Sequence, residues 1–152
     1  MNGNQYANWV GNYIKENFSD RGIKVYSEIF MGKSIIGKNR RVDLLVLDES
    51  QNKAIAIECK CQNVSGTADE KVPYTLKDSE AMQMDAYVVY GGDGFSKGIT
   101  HMLEASELAC YAVPPNNDET KFGRTATTKE LDQILAMNFS WWDIFTQGKT
   151  PL

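Results

Sequence analysis

Two strongly apolar β segments that each contain a misplaced charge constrain this chain more than anything else in it. The run RVDLLVLD, residues 41–48, is the β-branched and leucine-rich kind buried on both faces of a sheet, yet it holds Asp43. The run KAIAIECKC, residues 53–61, goes from apolar to charged at Glu58 and Lys60 with only Cys59 between them. Burying one charge in a strand is costly, and burying two requires partners or a metal ion. Alternation puts Glu58 and Lys60 on one face with the small Ala54 and Ala56, while Ile55, Ile57, Cys59 and Cys61 face the core. The turn ESQN at 49–52 folds the two runs into a hairpin and brings Asp43 beside Glu58.

Two carboxylates that close repel unless a cation neutralises them. Oxygen-only ligation suits Mg²⁺ or Mn²⁺, and Mg²⁺ keeps waters and takes phosphate oxygens as further ligands. The backbone carbonyl of Cys59 lies between the two side chains as another donor. A lysine beside such a cation polarises or orients an attacking water and offsets charge in the transition state of phosphodiester hydrolysis. Taken singly, Glu-x-Lys reads as a surface ion pair and Asp43 as a strand end or turn cap. The specific signal is Asp43, 14 intervening residues, then Glu58-x-Lys60, with both ends inside apolar runs.

The rest of the chain supplies the frame. Tyr6, Trp9, Val10, Tyr13 and Ile14 fall at helical spacing within residues 4–18. Residues 23–30 alternate as a half-buried strand, and GKSIIGKNR turns the chain back, so residues 23–61 read as a three-strand meander. A helix is expected from about Pro73 to Met84, a strand over 85–90, a helix over 99–109, a short strand over 110–113 and a loop after it. Thr127 with Glu130 makes a capping box for a helix over 127–138, and the tail FSWWDIF packs down as a lid. Hairpin strands first and βα alternation afterwards imply an α/β domain, a mixed central sheet with helices on both faces, in one unit over 1–152.

Composition narrows the function. No run of 18 or more apolar residues spans a membrane, and MNGNQYANWV lacks the pattern of a secretory signal. Cys59, Cys61 and Cys110 are an odd set without CxxC spacing, which fits a reducing cytoplasm. A single histidine, His101, excludes zinc sites needing two. The net charge of −4 is in tension with nucleic-acid binding, but a local basic face resolves it. The densest basic cluster is Lys33, Lys38, Arg40 and Arg41, four cations in nine residues, suited to phosphate-backbone attraction. Arg41, two residues before Asp43, is alternatively an ion-pair partner of the acidic site. Ser65, Thr67, Lys71, Tyr74 and Lys77 follow the charged strand and are candidates for a phosphate track. GGDGFSKG lacks the GxGxxG register and reads as a tight turn.

With Asp43, Glu58 and Lys60 in place, the sequence resembles the PD-(D/E)xK nuclease superfamily, in particular its restriction-type members. The likeness extends through ECKCQNVSGTADEKVPYTLKD, VVYGGDGFSKG and the C-terminal F-x-W-W, from residue 1 to about 145. The resemblance implies a restriction-endonuclease-like α-β-β-β-α-β core. It implies that Asp43 and Glu58 bind metal, that Lys60 is catalytic and that Gln62 orients the scissile phosphate or a water. A helix-one glutamate at the metal is missing, since only Gln5 and Asn8 stand at suitable positions and Glu16 comes too late; Glu28 is a substitute candidate. The expected function is a Mg²⁺-dependent DNA endonuclease, Mn²⁺ substituting, of restriction, phage or mobile-element type, acting as a homodimer on duplex DNA. The alternatives are a homing, repair or structure-specific nuclease, a catalytically idle nucleic-acid-binding subunit, and a plain α/β interaction domain.

Overall fold

The computed structural model describes residues 1–152. Helix α1 (Gly3–Phe18) opens with a capping box in which Asn2 accepts from the Gln5 amide and Gln5 accepts from the Asn2 amide. Gln5 is therefore a cap. Its buried stripe, Tyr6, Trp9, Val10, Tyr13, Ile14 and Phe18, is the one the spacing predicts. Three antiparallel strands follow, β1 (Ile23–Lys33), β2 (Asn39–Asp48) and β3 (Lys53–Cys61). Helix α2 (Ala68–Ala81) crosses to β4 (Ala86–Gly91), and α3 (Lys97–Ala105) to β5 (Ala109–Tyr111), both strands pairing in parallel. The sheet order is β1-β2-β3-β4-β5. Helices α4 (Lys129–Phe139) and α5 (Asp143–Thr146) complete the chain.

One core joins the stripe of α1 to Leu44, Val46, Ile55, Ile57 and Cys59 on the sheet and to Leu131, Leu135, Ala136 and Phe139 of α4. A smaller cluster on α2 and α3 joins Val72, Leu76 and Leu103 to Val88, Tyr90 and Phe95. The mixed sheet thus carries helices on both faces. Tyr13 and Arg124 both hydrogen-bond Asp132, tying α1 to α4 across the first core; burial holds the Asp132 carboxyl above its usual range. Trp141 of the tail stacks on Phe18 and Phe139 under the Arg21 guanidinium, and seals this end of the core, while Trp142 stays exposed.

Several element boundaries differ from expectation, among them the end of α3 at Ala105 rather than 109, and three further differences have a visible cause. Helix α2 begins at Ala68 rather than near Pro73: its first turn carries Asp69 and Glu70, and Asp69 is fastened by the Gln62 side chain, so the helix starts before the proline and tolerates it inside. Ser96 caps α3, which begins two residues earlier than the apolar pattern suggests. The capping box lies at Thr125 and Thr128 around a 3₁₀ turn, not at Thr127 and Glu130, and α4 follows without a side-chain cap. No helix is long and apolar enough to cross a membrane.

Candidate active site

The site forms where β2 and β3 part. The ladder pairs Leu44 with Ile57, and beyond it Asp43 turns its Oδ2 to accept the Cys59 backbone N–H at 2.8 Å. That bond replaces a ladder bond and carries Asp43 over the C-terminal half of β3, next to Glu58. The two carboxyls are close enough for Asp43 to disfavour the charged form of Glu58. Glu58 is pushed up to about 8, first by burial, then by the charge of Asp43 and the bond to it; Asp78 adds to this and Lys60 opposes it. Cys59 points into the core, where burial raises its thiol pKa.

Glu58 and Lys60 line a cleft of about 290 Å³ whose walls are the β1–β2 hairpin (Ser34, Lys38, Asn39, Arg40, Arg41) and α2 (Tyr74, Thr75, Asp78). Lys60 forms no ion pair with any carboxylate, so its ammonium is available at the cleft floor. The carboxylate pair and lysine that the sequence pattern singles out therefore meet at one strand end.

Other expected site residues fall differently. Gln62 is buried and its carboxamide is fully engaged: Nε2 donates to the Gly94 carbonyl at 2.9 Å and to Asp69 at 3.3 Å, and Oε1 accepts from the Asp69 amide at 3.2 Å. It latches the 92–96 loop to the start of α2 and does not line the cleft. Arg40 is also engaged, donating from Nε and a terminal nitrogen to Asp78 at 3.0 and 2.8 Å with both side chains nearly buried, so it is a wall of the cleft and not a free phosphate contact. Glu28 pairs with Arg41 at 3.5 Å on the surface and joins no metal-type cluster with Asp43 and Glu58. Its backbone is left-handed (φ 55°), rare for a glutamate, at the position of β1 between the partners of Val42 and Leu44. Arg41, exposed, takes the ion pair with Glu28 rather than with Asp43. Ser65, Thr67, Lys71, Tyr74 and Lys77 are all exposed, and of these only Tyr74 lines the cleft.

Asp78 is the residue sequence reasoning missed. It grips Arg40 and accepts from the Ile35 amide at 3.0 Å, so it ties α2 to the hairpin across the cleft. Its partners lie 38 and 43 residues away, so no local pattern announces it. Its carboxyl is held below the usual range, chiefly by the Arg40 bond.

A donor set of two adjacent carboxylates, one of them destabilised in its charged form, fits a hard divalent cation. A mixed sheet of five strands with this pair and a lysine at the end of a central strand defines a restriction-endonuclease-like α/β fold. The model of the PD-(D/E)XK nuclease superfamily domain matches residues 2–142, and the chain belongs to that superfamily, whose members generally use divalent metal ions.

No curated protein sequence matches the chain. Among solved structures it is similar to a repair endonuclease from Pyrococcus abyssi (19% identity, TM-score 0.39, covering 67% of this chain and 44% of that one). It is also similar to the protein in the EndoMS–dsDNA complex (18%, TM-score 0.40, covering 69% and 43%). A third likeness is to the MspJI restriction endonuclease in complex with a 27-mer oligonucleotide (15%, TM-score 0.39, covering 92% and 32%). The chain spans less than half the length of each of these three proteins.

Proposed function

We propose that this chain is a Mg²⁺-dependent endodeoxyribonuclease, with Mn²⁺ able to substitute, of the restriction or phage and mobile-element kind. The observation that carries the reading is that Asp43, held by the Cys59 N–H, meets Glu58 and the unpaired Lys60 at one strand end, the latter two lining a cleft. Asp43, Glu58 and the Cys59 carbonyl would hold the cation. Bound there, it supplies Lewis-acid activation of water and charge neutralisation at a phosphoryl oxygen.

The chain's own residues do the remainder. Asp43 accepts the Cys59 N–H on one oxygen, which orients the carboxylate and leaves the other oxygen for ligation. Lys60 donates from its ammonium to the attacking water or to the scissile phosphate and offsets developing negative charge. Lys38 on the cleft wall and the exposed Lys71 and Lys77 of α2 are unpaired and available to the phosphate backbone. One chain presents one such centre, so cutting both strands of a duplex calls for a homodimer.

The test is supercoiled plasmid incubated with the protein in Mg²⁺, Mn²⁺ or EDTA, beside Asp43→Asn. Nicked or linear product in either metal, absent in EDTA and in the variant, supports the reading. Intact plasmid in both metals overturns it.

A further inference from the structure

The hairpin between β1 and β2 presents its apolar tip to solvent, yet holds that tip stiffly. Ile35 is 47% and Ile36 60% exposed, and both sit where the chain reverses. The turn closes with Ser34 N–H to the Lys38 carbonyl at 2.8 Å and Gly37 N–H to the Ser34 carbonyl at 2.9 Å, with Gly37 in the left-handed region. Asp78 then takes the Ile35 amide and, through Arg40, the base of β2. A nearly buried bidentate pair is an unusual anchor for two isoleucines that touch no core. The anchor fixes the tip between Ser34 and Lys38, both of which line the cleft that contains Glu58 and Lys60.

The surroundings of the tip are built for an anion. Lys38 has no carboxylate partner, and Arg41 has only the exposed contact to Glu28. A two-stranded β-ribbon is of a size to enter the major groove of DNA, where apolar side chains contact base edges such as the thymine methyl.

We infer that the β1–β2 ribbon enters a groove of duplex DNA beside the scissile phosphate. Ile35 and Ile36 make apolar contact inside the groove, while Lys38 and Arg41 take the flanking phosphates. The inference rests on the nuclease reading and adds the element that grips the duplex. Charge decides the occupant: a second copy of this chain, net −4, has less to offer Lys38 and Arg41 than a polyanion does.

Fluorescence anisotropy with a labelled duplex in Ca²⁺ tests it, comparing wild type, Ile35→Ser/Ile36→Ser and Lys38→Ala across a salt series. Both isoleucines are exposed, so the double variant keeps the fold, checked by its melting temperature. The expected result is a loss of roughly tenfold or more for the isoleucine variant with an unchanged salt slope, from lost apolar burial. Lys38→Ala should flatten the slope by about one. Wild-type affinity in the isoleucine variant overturns the inference while leaving the nuclease reading intact. A change in sedimentation with no change in duplex affinity also overturns it, by making a second copy the occupant. Absence of both duplex binding and plasmid cleavage in the wild type removes the nuclease reading and this one with it.

Discussion

Replacing Glu58 by glutamine should stabilise the metal-free protein at alkaline pH, an uncommon outcome for a change at an active site. The Glu58 carboxyl rises from 4.5 to about 8 on folding, so between those values the folded chain keeps a proton that the unfolded chain has released. Stability therefore falls as pH rises through that window and is lowest above it, where the charged form bears the whole cost of burial and of Asp43. That span corresponds to a ceiling of roughly 5 kcal/mol. Solvent at the cleft mouth reduces the expectation to about 2 kcal/mol, or roughly 4–8 °C in melting temperature for a domain of this size. Glutamine is neutral throughout and can still donate to Asp43. Thermal unfolding in EDTA at pH 5 and pH 9 reads the effect: the two proteins should melt alike at pH 5, and the variant should melt higher at pH 9. Adding Mg²⁺ at pH 9 should raise the wild type and leave Glu58→Gln little changed. Melting curves offset by the same amount at both pH values would refute the reasoning, because Glu58 would then carry no strain from its neighbours.

Other expectations concern the frame. Asp78→Ala leaves Arg40 nearly buried without a counter-charge and frees the Ile35 amide, so a loss of roughly 2–4 kcal/mol is expected in urea unfolding. Because the Asp78 carboxyl is held low, its stabilisation is present above the ordinary aspartate range and lost as pH falls through its folded value; the wild type and Asp78→Ala should therefore converge in acid. Gly94→Ala would drive a Cβ into the backbone of Asn63 and Val64 behind the Gln62 latch, and should cost about 1–3 kcal/mol. Hydrogen exchange would show that loss first at the Asp69 and Ser96 amides, which the latch orders.

The parts of this protein that are legible in its sequence are those governed by local periodicity. The apolar runs of β2 and β3 and the stripe of α1 declare themselves because a core demands them, and a charge inside such a run stands out against that demand. Asp43, Glu58 and Lys60 are visible for this reason. Arg40 and Gln62 are not, because their roles depend on partners remote in sequence: Asp78 is 38 residues from Arg40, and Gly94 is 32 from Gln62. From sequence alone an arginine in a basic cluster looks free, and a glutamine two residues past a lysine on a strand looks aimed at the substrate. The strand in fact ends at Cys61, so alternation no longer governs where Gln62 points. The early start of α2 was hidden for a related reason: Pro73 looks like a helix opening, whereas the fastening of Asp69 is a tertiary contact.

The most direct measurement is single-turnover cleavage of an end-labelled duplex in Mg²⁺ by the wild type and by Lys60→Ala, with the fold of each verified by melting. A wild-type enzyme that cuts, and a folded variant at least a hundredfold slower, is the expected result, since one charged donor at a phosphoryl transition state supplies about that factor. Equal rates in the two proteins, or a folded wild type that leaves every duplex intact, would contradict the placement of a phosphodiester-cleaving centre at Asp43, Glu58 and Lys60.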